Sequence, residues 1–256
     1  MRGWPMAAPV CLFLRQEGKG MIYQIAELWV EMNTFGRTLR QAIPYMSEQK
    51  GNIDIKVFPD LNIVKKYINR LSEEEVEYMA TGQNFRKQLL NFDGMVLHAS
   101  AVVKDGKAYL FTAHSGTGKS THTKLWQNVY GEDKVFILND DKPALRKIND
   151  IWYAYGTPWS GKHDLNRNEK VPVGGICILE RGEKNKIEPC SKIVALQKLL
   201  SFSGRTQNAE LLNSVLDVLE EILTDIPIWR MECNMDPEAA ILSYETMSGI
   251  RKEELK

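Results

Sequence analysis

The residues Ala113-His-Ser-Gly-Thr-Gly-Lys-Ser-Thr121 have the types and spacing to hold a polyphosphate. Gly116 and Gly118 let the backbone turn without a Cβ clash, so that successive N–H groups converge on one anion. Lys119 would reach the β- and γ-phosphates, and the Ser120 hydroxyl would sit on Mg²⁺. Ser115, Thr117 and Thr121 complete the candidate nucleotide-binding run Ser115–Thr121. One departure from the motif stands out: its first glycine is Ala113 here. The surrounding pattern supports the motif. An apolar run, Ala108–Thr112, precedes the loop and a helix-compatible run, Thr121–Tyr130, follows it. That is the strand, glycine loop, helix order in which a helix N-terminus faces the bound anion.

Two further groups fall within reach of the loop. Val96–Val103 and Lys107–Thr112 read as strands joined at Asp105-Gly106, a strong signal for a tight type I′ hairpin. That register sets Val103 against Ala108, Ser100 against Phe111 and His98 opposite Ala113, beside the mouth of the loop. Downstream, Lys134–Asp141 is an apolar strand ending in Asp140 and Asp141. Adjacent residues of an extended strand point to opposite faces. One aspartate could therefore hold the metal or its water while the other faces a substrate hydroxyl or His98.

Elsewhere the chain reads as alternating elements. Met21–Met32 is expected to be a strand, Ile53–Val57 a half-buried strand, and Ser72 with Glu75 a capping box opening a helix. Ala144–Ile148 and Ile151–Tyr155 read as a second hairpin at Asn149-Asp150, so the sheet is expected to be mixed. Val171–Glu180 and Ile226–Glu232 are further strands; Ile193–Phe202, Leu211–Leu223 and Pro237–Met247 are helices expected to pack on the sheet. Ser160, Lys162 and His163 lie in a polar loop, Gly156–Asp164, that is either a substrate contact or plain surface. Residues 1–20 read as a tail, with a weak signal-peptide pattern broken by Pro9; a start-site artefact before Met21 is an equal alternative.

Bulk properties narrow the class. Hydrophobic residues make up 43% of the 256-residue chain and formal net charge is +0, so no basic field for nucleic acid is present. The four cysteines show no CxxC spacing, and no apolar run has the length of a membrane span. Free thiols, a cytoplasmic location and no nucleic-acid or membrane partner are the expectations.

Leu97–Lys107, the Ser-Gly-Thr-Gly-Lys-Ser loop and Asn139-Asp-Asp141 together resemble the HPr kinase/phosphorylase and phosphoenolpyruvate-carboxykinase-like superfamily. The match is good over residues 95 to 145, and it looks most like the small homologues that phosphorylate a serine of a precursor peptide, the lasso-peptide kinase type. Ile178-Leu-Glu-Arg-Gly182 only partly matches the superfamily's downstream signature. The resemblance implies an α/β fold, a P-loop nucleotide-binding core with a mixed sheet flanked by helices, over residues 94–256, behind a small α/β region at residues 21–93. It implies a kinase using ATP and Mg²⁺, with Asp140 as general base on a serine-type hydroxyl and His98 and Lys119 as its catalytic companions. Ser120 and Asp141 would hold the metal. A peptide or small protein is the implied acceptor, and a homo-oligomer is expected because HPr kinases are hexamers. A nucleotide-binding module without transfer chemistry and a small-molecule kinase are the alternatives.

Overall fold

The computed structural model describes residues 20–48, 51–202 and 208–249. The expectation for residues 1–20 thus lies, Gly20 apart, outside the described residues. The chain forms two compact units, divided between Leu89 and Leu90.

In the first unit, β1 (Met21–Ile25) and β2 (Leu28–Met32) pair antiparallel, and β3 (Ile55–Val57) adds parallel to β2. The single strand expected over Met21–Met32 is therefore a hairpin. Ala26 and Glu27 turn it with φ of 53° and 62°, without the Asn or Gly that normally marks such a turn. The helices are α1 (Gly36–Ala42), α2 (Leu61–Tyr67) and α3 (Glu73–Leu89). The capping box forms as expected: Ser72 Oγ donates to Glu75 Oε2 at 2.8 Å, and Glu75 N donates to Ser72 Oγ at 3.4 Å. Farther along α3, Glu77 is wholly buried and accepts from Thr38 Oγ1. Desolvation pushes its carboxyl up to about 8.

The second unit is a nine-stranded mixed sheet among the described residues, curled and flanked by helices. In chain order its elements are β4 (Gly94–Val96), β5 (Ala99–Lys104), β6 (Lys107–Thr112), α4 (Lys119–Tyr130), β7 (Val135–Asn139), β8 (Ala144–Ile148) and β9 (Ile151–Tyr155). There follow β10 (Lys170–Arg181), β11 (Lys186–Pro189), α5 (Lys192–Phe202), α6 (Ala209–Asp225), β12 (Ile228–Cys233) and α7 (Pro237–Ser248). The sheet runs β4-β8-β9-β10-β6-β5-β7, with β12 also on β10 and β11 on β12. One long strand, β10, joins the two halves: Lys170–Pro172 pair antiparallel with β9, and the remainder pairs parallel with β6 and β12.

Period-two alternation sorts the side chains of β6 to opposite faces. Ala108 and Leu110 enter one core with Leu199, Leu219 and Ile222 of α5 and α6, whereas Tyr109 and Phe111 enter another with Trp126 of α4 and Tyr244 of α7. Trp126 is fully buried and makes edge contacts with Phe111 and Tyr244. Its Nε1 donates to Ser243 Oγ at 2.9 Å, so α7 is tied to α4 by a hydrogen bond inside an aromatic cluster. His122 lies on the same serine, 3.0 Å away, and burial drops its imidazole to about 4, so it is neutral.

Both expected hairpins have the pairing read from their turns. Asp105 and Gly106 have φ of 49° and 72°, Val103 pairs with Ala108 and Ser100 with Phe111. Asn149 and Asp150 have φ of 49° and 63°, and Ile148 pairs with Ile151. Two strand expectations need correction. The run Val96–Val103 is broken at Leu97-His98, because β4 pairs with β8 while β5 pairs with β6 and β7. Lys134–Asp141 ends at Asn139, because the asparagine folds the chain back in the way described below.

Candidate functional site

Three strand ends and one loop meet at a single edge of the second unit, and the pairing explains why. β6 ends at Thr112 and runs into the glycine loop. β5 is antiparallel to β6, so its first residue, Ala99, lies opposite Thr112. β7 is antiparallel to β5, so its last residue, Asn139, lies opposite Ala101. His98, the loop and the two aspartates are thereby delivered to the same place. Thr112 Oγ1 donates to His98 O at 2.9 Å and Ala99 N to Asp141 O at 3.1 Å, which ties His98 to the loop strand and Asp141 to the start of β5.

The loop itself turns at Gly116, φ 78°, and Gly118, φ 125°. Nothing lies within 4 Å of a Cβ built at either position, so it is the backbone angle and not crowding that requires glycine. Ala113 is fully buried and absent from the positive-φ residues, which is why alanine serves where the motif has glycine. Lys119, at the first position of α4, is only 7% exposed and its ammonium donates back to Ala113 O at 3.3 Å. Burial lowers its pKa; Asp141 and Asp140 pull it back up, and Lys142 opposes them. Both acids thus act electrostatically on the loop lysine.

Asn139 separates the two aspartates. Its Oδ1 accepts from the backbone N–H groups of Asp141 and Lys142 at 3.0 and 2.7 Å, an Asx turn, while its Nδ2 donates to Thr157 O at 2.9 Å. A register shift between Ala101 and Val102 bends the pairing just before this point. As a result Asp140 faces inward. It is 6% exposed and accepts from Ser100 Oγ at 2.7 Å; Ser100 in turn lies 2.8 Å from Thr123 Oγ1 on α4. Asp141 faces the other way, with His98 Nε2 3.3 Å from its Oδ1 and Lys142 Nζ on its Oδ2. Gly161 packs behind it: a Cβ there would meet Asp141 Cβ at 3.1 Å.

Asp140, Asp141, His98 and Lys119 are therefore together at the loop. Ser115 and Thr117 lie in the loop, and Ser120 and Thr121 in the first turn of α4. Of the Gly156–Asp164 loop, Ser160 is buried and bonded to Asp164 and Asn166, while Lys162 and His163 are exposed. Four participants were not singled out from sequence: Ser100, Thr123, Asn139 and Lys142. Thr123 sits one helical turn after Lys119, and Ser100 two residues after His98, just inside β5. Those spacings were the available signal.

Beside the loop is a cavity of about 440 Å³, lined by Gly116, Gly118, Leu125, Leu179, Arg181 and Met235 among others, with neither aspartate in its lining. Cys177, Cys190 and Cys233 are free thiols. Among the described residues no group of three His, Cys, Asp or Glu could by itself hold a metal ion. No helix among them is long and apolar enough to cross a membrane.

Among solved structures, the chain is similar to the Hpr(Ser) kinase/phosphatase from Coxiella burnetii, with a TM-score of 0.36 and 16% identity over 62% of this chain and 99% of that one. No curated protein matches it. The family model described as SynChlorMet cassette protein ScmC matches residues 68–236, which takes in the third helix of the first unit and the whole of the loop, strand-tip and cavity region. By that match the chain belongs to the SynChlorMet cassette protein ScmC family.

Proposed function

We propose that this protein is an ATP-dependent kinase that passes a phosphoryl group to a serine-type hydroxyl of a peptide or small protein. The observation that carries the reading is one cluster. A buried lysine ammonium follows a positive-φ glycine loop, with two carboxylates close enough to act on it and a histidine on one of them. The buried ammonium has one carbonyl acceptor and two donors to spare, which suits an anion. The Ser120 hydroxyl and Asp141 carboxylate are hard oxygen donors. They suit magnesium, which takes one or two carboxylates and fills its remaining sites with phosphate oxygens and water. Magnesium would supply neutralisation of phosphate charge.

In this reading the loop N–H groups and Lys119 hold and orient the phosphates. The 440 Å³ cavity takes the nucleoside at one end of the loop, and the acids attend the other. Catalysis is then mainly positioning and charge stabilisation. Asp140 takes the proton of the acceptor hydroxyl, held in orientation by Ser100. A second division of labour is favoured by one contact: Asp141, not Asp140, is the acid that His98 touches, so Asp141 could take the proton while Asp140 attends the metal.

The test incubates the full chain with Mg²⁺, γ-labelled ATP and serine-containing peptides. Label transfer to a peptide supports the kinase reading; ATP binding without hydrolysis or transfer supports the non-catalytic module. Asp140→Asn should abolish transfer and leave ATP binding nearly intact. If Asp141→Asn does this instead, the second division holds, and equal loss of binding and transfer in both defeats either assignment of the base.

A further inference from the structure

The glycine loop is held by a residue to which the proposed chemistry assigns no role of its own, although it also lines the 440 Å³ cavity. Arg181, the last residue of β10, is exposed, yet its guanidinium is not idle. Nη2 donates to Gly116 O at 2.5 Å and Nε to Thr117 O at 3.3 Å. Among the described residues the guanidinium pairs with no carboxylate; its hydrogen bonds go to these two loop carbonyls. The pairing of strands puts it there. β10 lies parallel to β6, with Ile178 opposite Thr112, so β10 continues past the end of β6 and its tip stands beside the loop that β6 feeds.

A peptide unit cannot point its N–H and its C=O the same way. For the loop amides to converge on an anion, the loop carbonyls must face outward, where they lose hydrogen-bond partners. A planar fork of donors on that outer side satisfies two successive carbonyls at once, a geometry that a lysine ammonium cannot reproduce. The geometry points to Arg181 as a positioning residue: by holding the Gly116 and Thr117 carbonyls outward, it preorganises the loop amides for a polyphosphate. This inference rests on the kinase reading only in requiring that the loop bind phosphates. Its effect lies in ground-state binding, because a loop ordered beforehand loses less freedom when the ligand arrives.

The experiment compares wild type, Arg181→Ala and Arg181→Lys, each as the full chain, by calorimetric titration with Mg²⁺–ATP and separately with pyrophosphate. Thermal melting of the free proteins runs alongside. With the arginine exposed, all three should melt within a few degrees of one another. Arg181→Ala should bind both ligands about tenfold more weakly, the scale of a lost preorganisation. In ATP hydrolysis KM should rise while kcat stays within about twofold, since the reacting atoms are untouched. Arg181→Lys should recover only part of the loss. Unchanged affinity in Arg181→Ala overturns the inference and leaves the kinase reading intact. Full recovery in Arg181→Lys also overturns it, because the residue would then act as a bare charge. A wild-type protein that binds neither ligand defeats both readings together.

Discussion

Replacing Lys119 by methionine separates binding from folding. The side chain is 7% exposed, its ammonium makes one hydrogen bond to a carbonyl, and burial already lowers its pKa. Methionine keeps the length and apolar body of the lysine stem. The free protein loses one modest hydrogen bond, about 1 kcal/mol, and is relieved of a comparable desolvation cost. Its stability should therefore change by no more than about 1 kcal/mol. The nucleotide loses charge-assisted hydrogen bonds, about 2 kcal/mol, or roughly a thirtyfold rise in Kd. Thermal melting with and without ATP reads both quantities. At ATP one hundred times the wild-type Kd, mass action stabilises wild type by about 2.7 kcal/mol. The same concentration is only about three times the variant Kd, which leaves roughly 0.9 kcal/mol. The ATP-induced rise in Tm should accordingly shrink to about a third while the ligand-free Tm holds. A variant that loses several degrees without ligand, or keeps the full ATP shift, would refute the argument.

Gly118→Ala should impair ATP binding through the backbone alone, since φ of 125° is hostile to an L side chain although space is free; calorimetry checks it. Ser100→Ala removes the bond to Asp140 and a contact with Thr123 in a buried network, and should cost about 1–3 kcal/mol in denaturant unfolding with a matching fall in transfer rate. Ser243→Ala leaves Trp126 Nε1 with only its longer, 3.4 Å bond to His122 Nε2 and should lower stability by about 1 kcal/mol without changing ATP affinity. Glu77 gives the first unit a pH dependence. Its folded pKa is raised to about 8 from 4.5, so its contribution is fully present below 4.5 and is lost as pH rises through 8. Unfolding of the wild type across that window should therefore show stability falling with pH, and Glu77→Gln should flatten the fall.

The sequence was most readable where local rules decide. The Asp105-Gly106 turn forced a register that holds as far as Ala99 opposite Thr112; His98 itself lies just beyond the paired strand and is tied to it by the bond from Thr112 Oγ1 to its carbonyl. The capping box at Ser72 was readable for the same reason. The Ala26-Glu27 turn was hidden because neither residue type advertises a positive φ. Which way each aspartate faces was also hidden. It depends on Asn139 spending its side chain on an Asx turn and on a bulge whose partner strand is separated from it by the entire loop and helix. The role of Arg181 lay beyond reach because the parallel pairing of β10 with β6 joins residues some sixty positions apart, and spacing in the chain says nothing about it.

Apart from that arginine, every group assigned to phosphate or acceptor lies between His98 and Asp141, at the ends of β5 and β7 or on the loop and helix that link β6 to β7, with β5 between β6 and β7 in the sheet. Ser100 and Asp140 are 40 residues apart, and the entropy of closing such a loop grows only slowly with its length. The reactive edge can therefore assemble while β10 and β12 are still undocked. A nascent or truncated chain of this family would carry the acids and histidine in place before its glycine loop had been drawn taut.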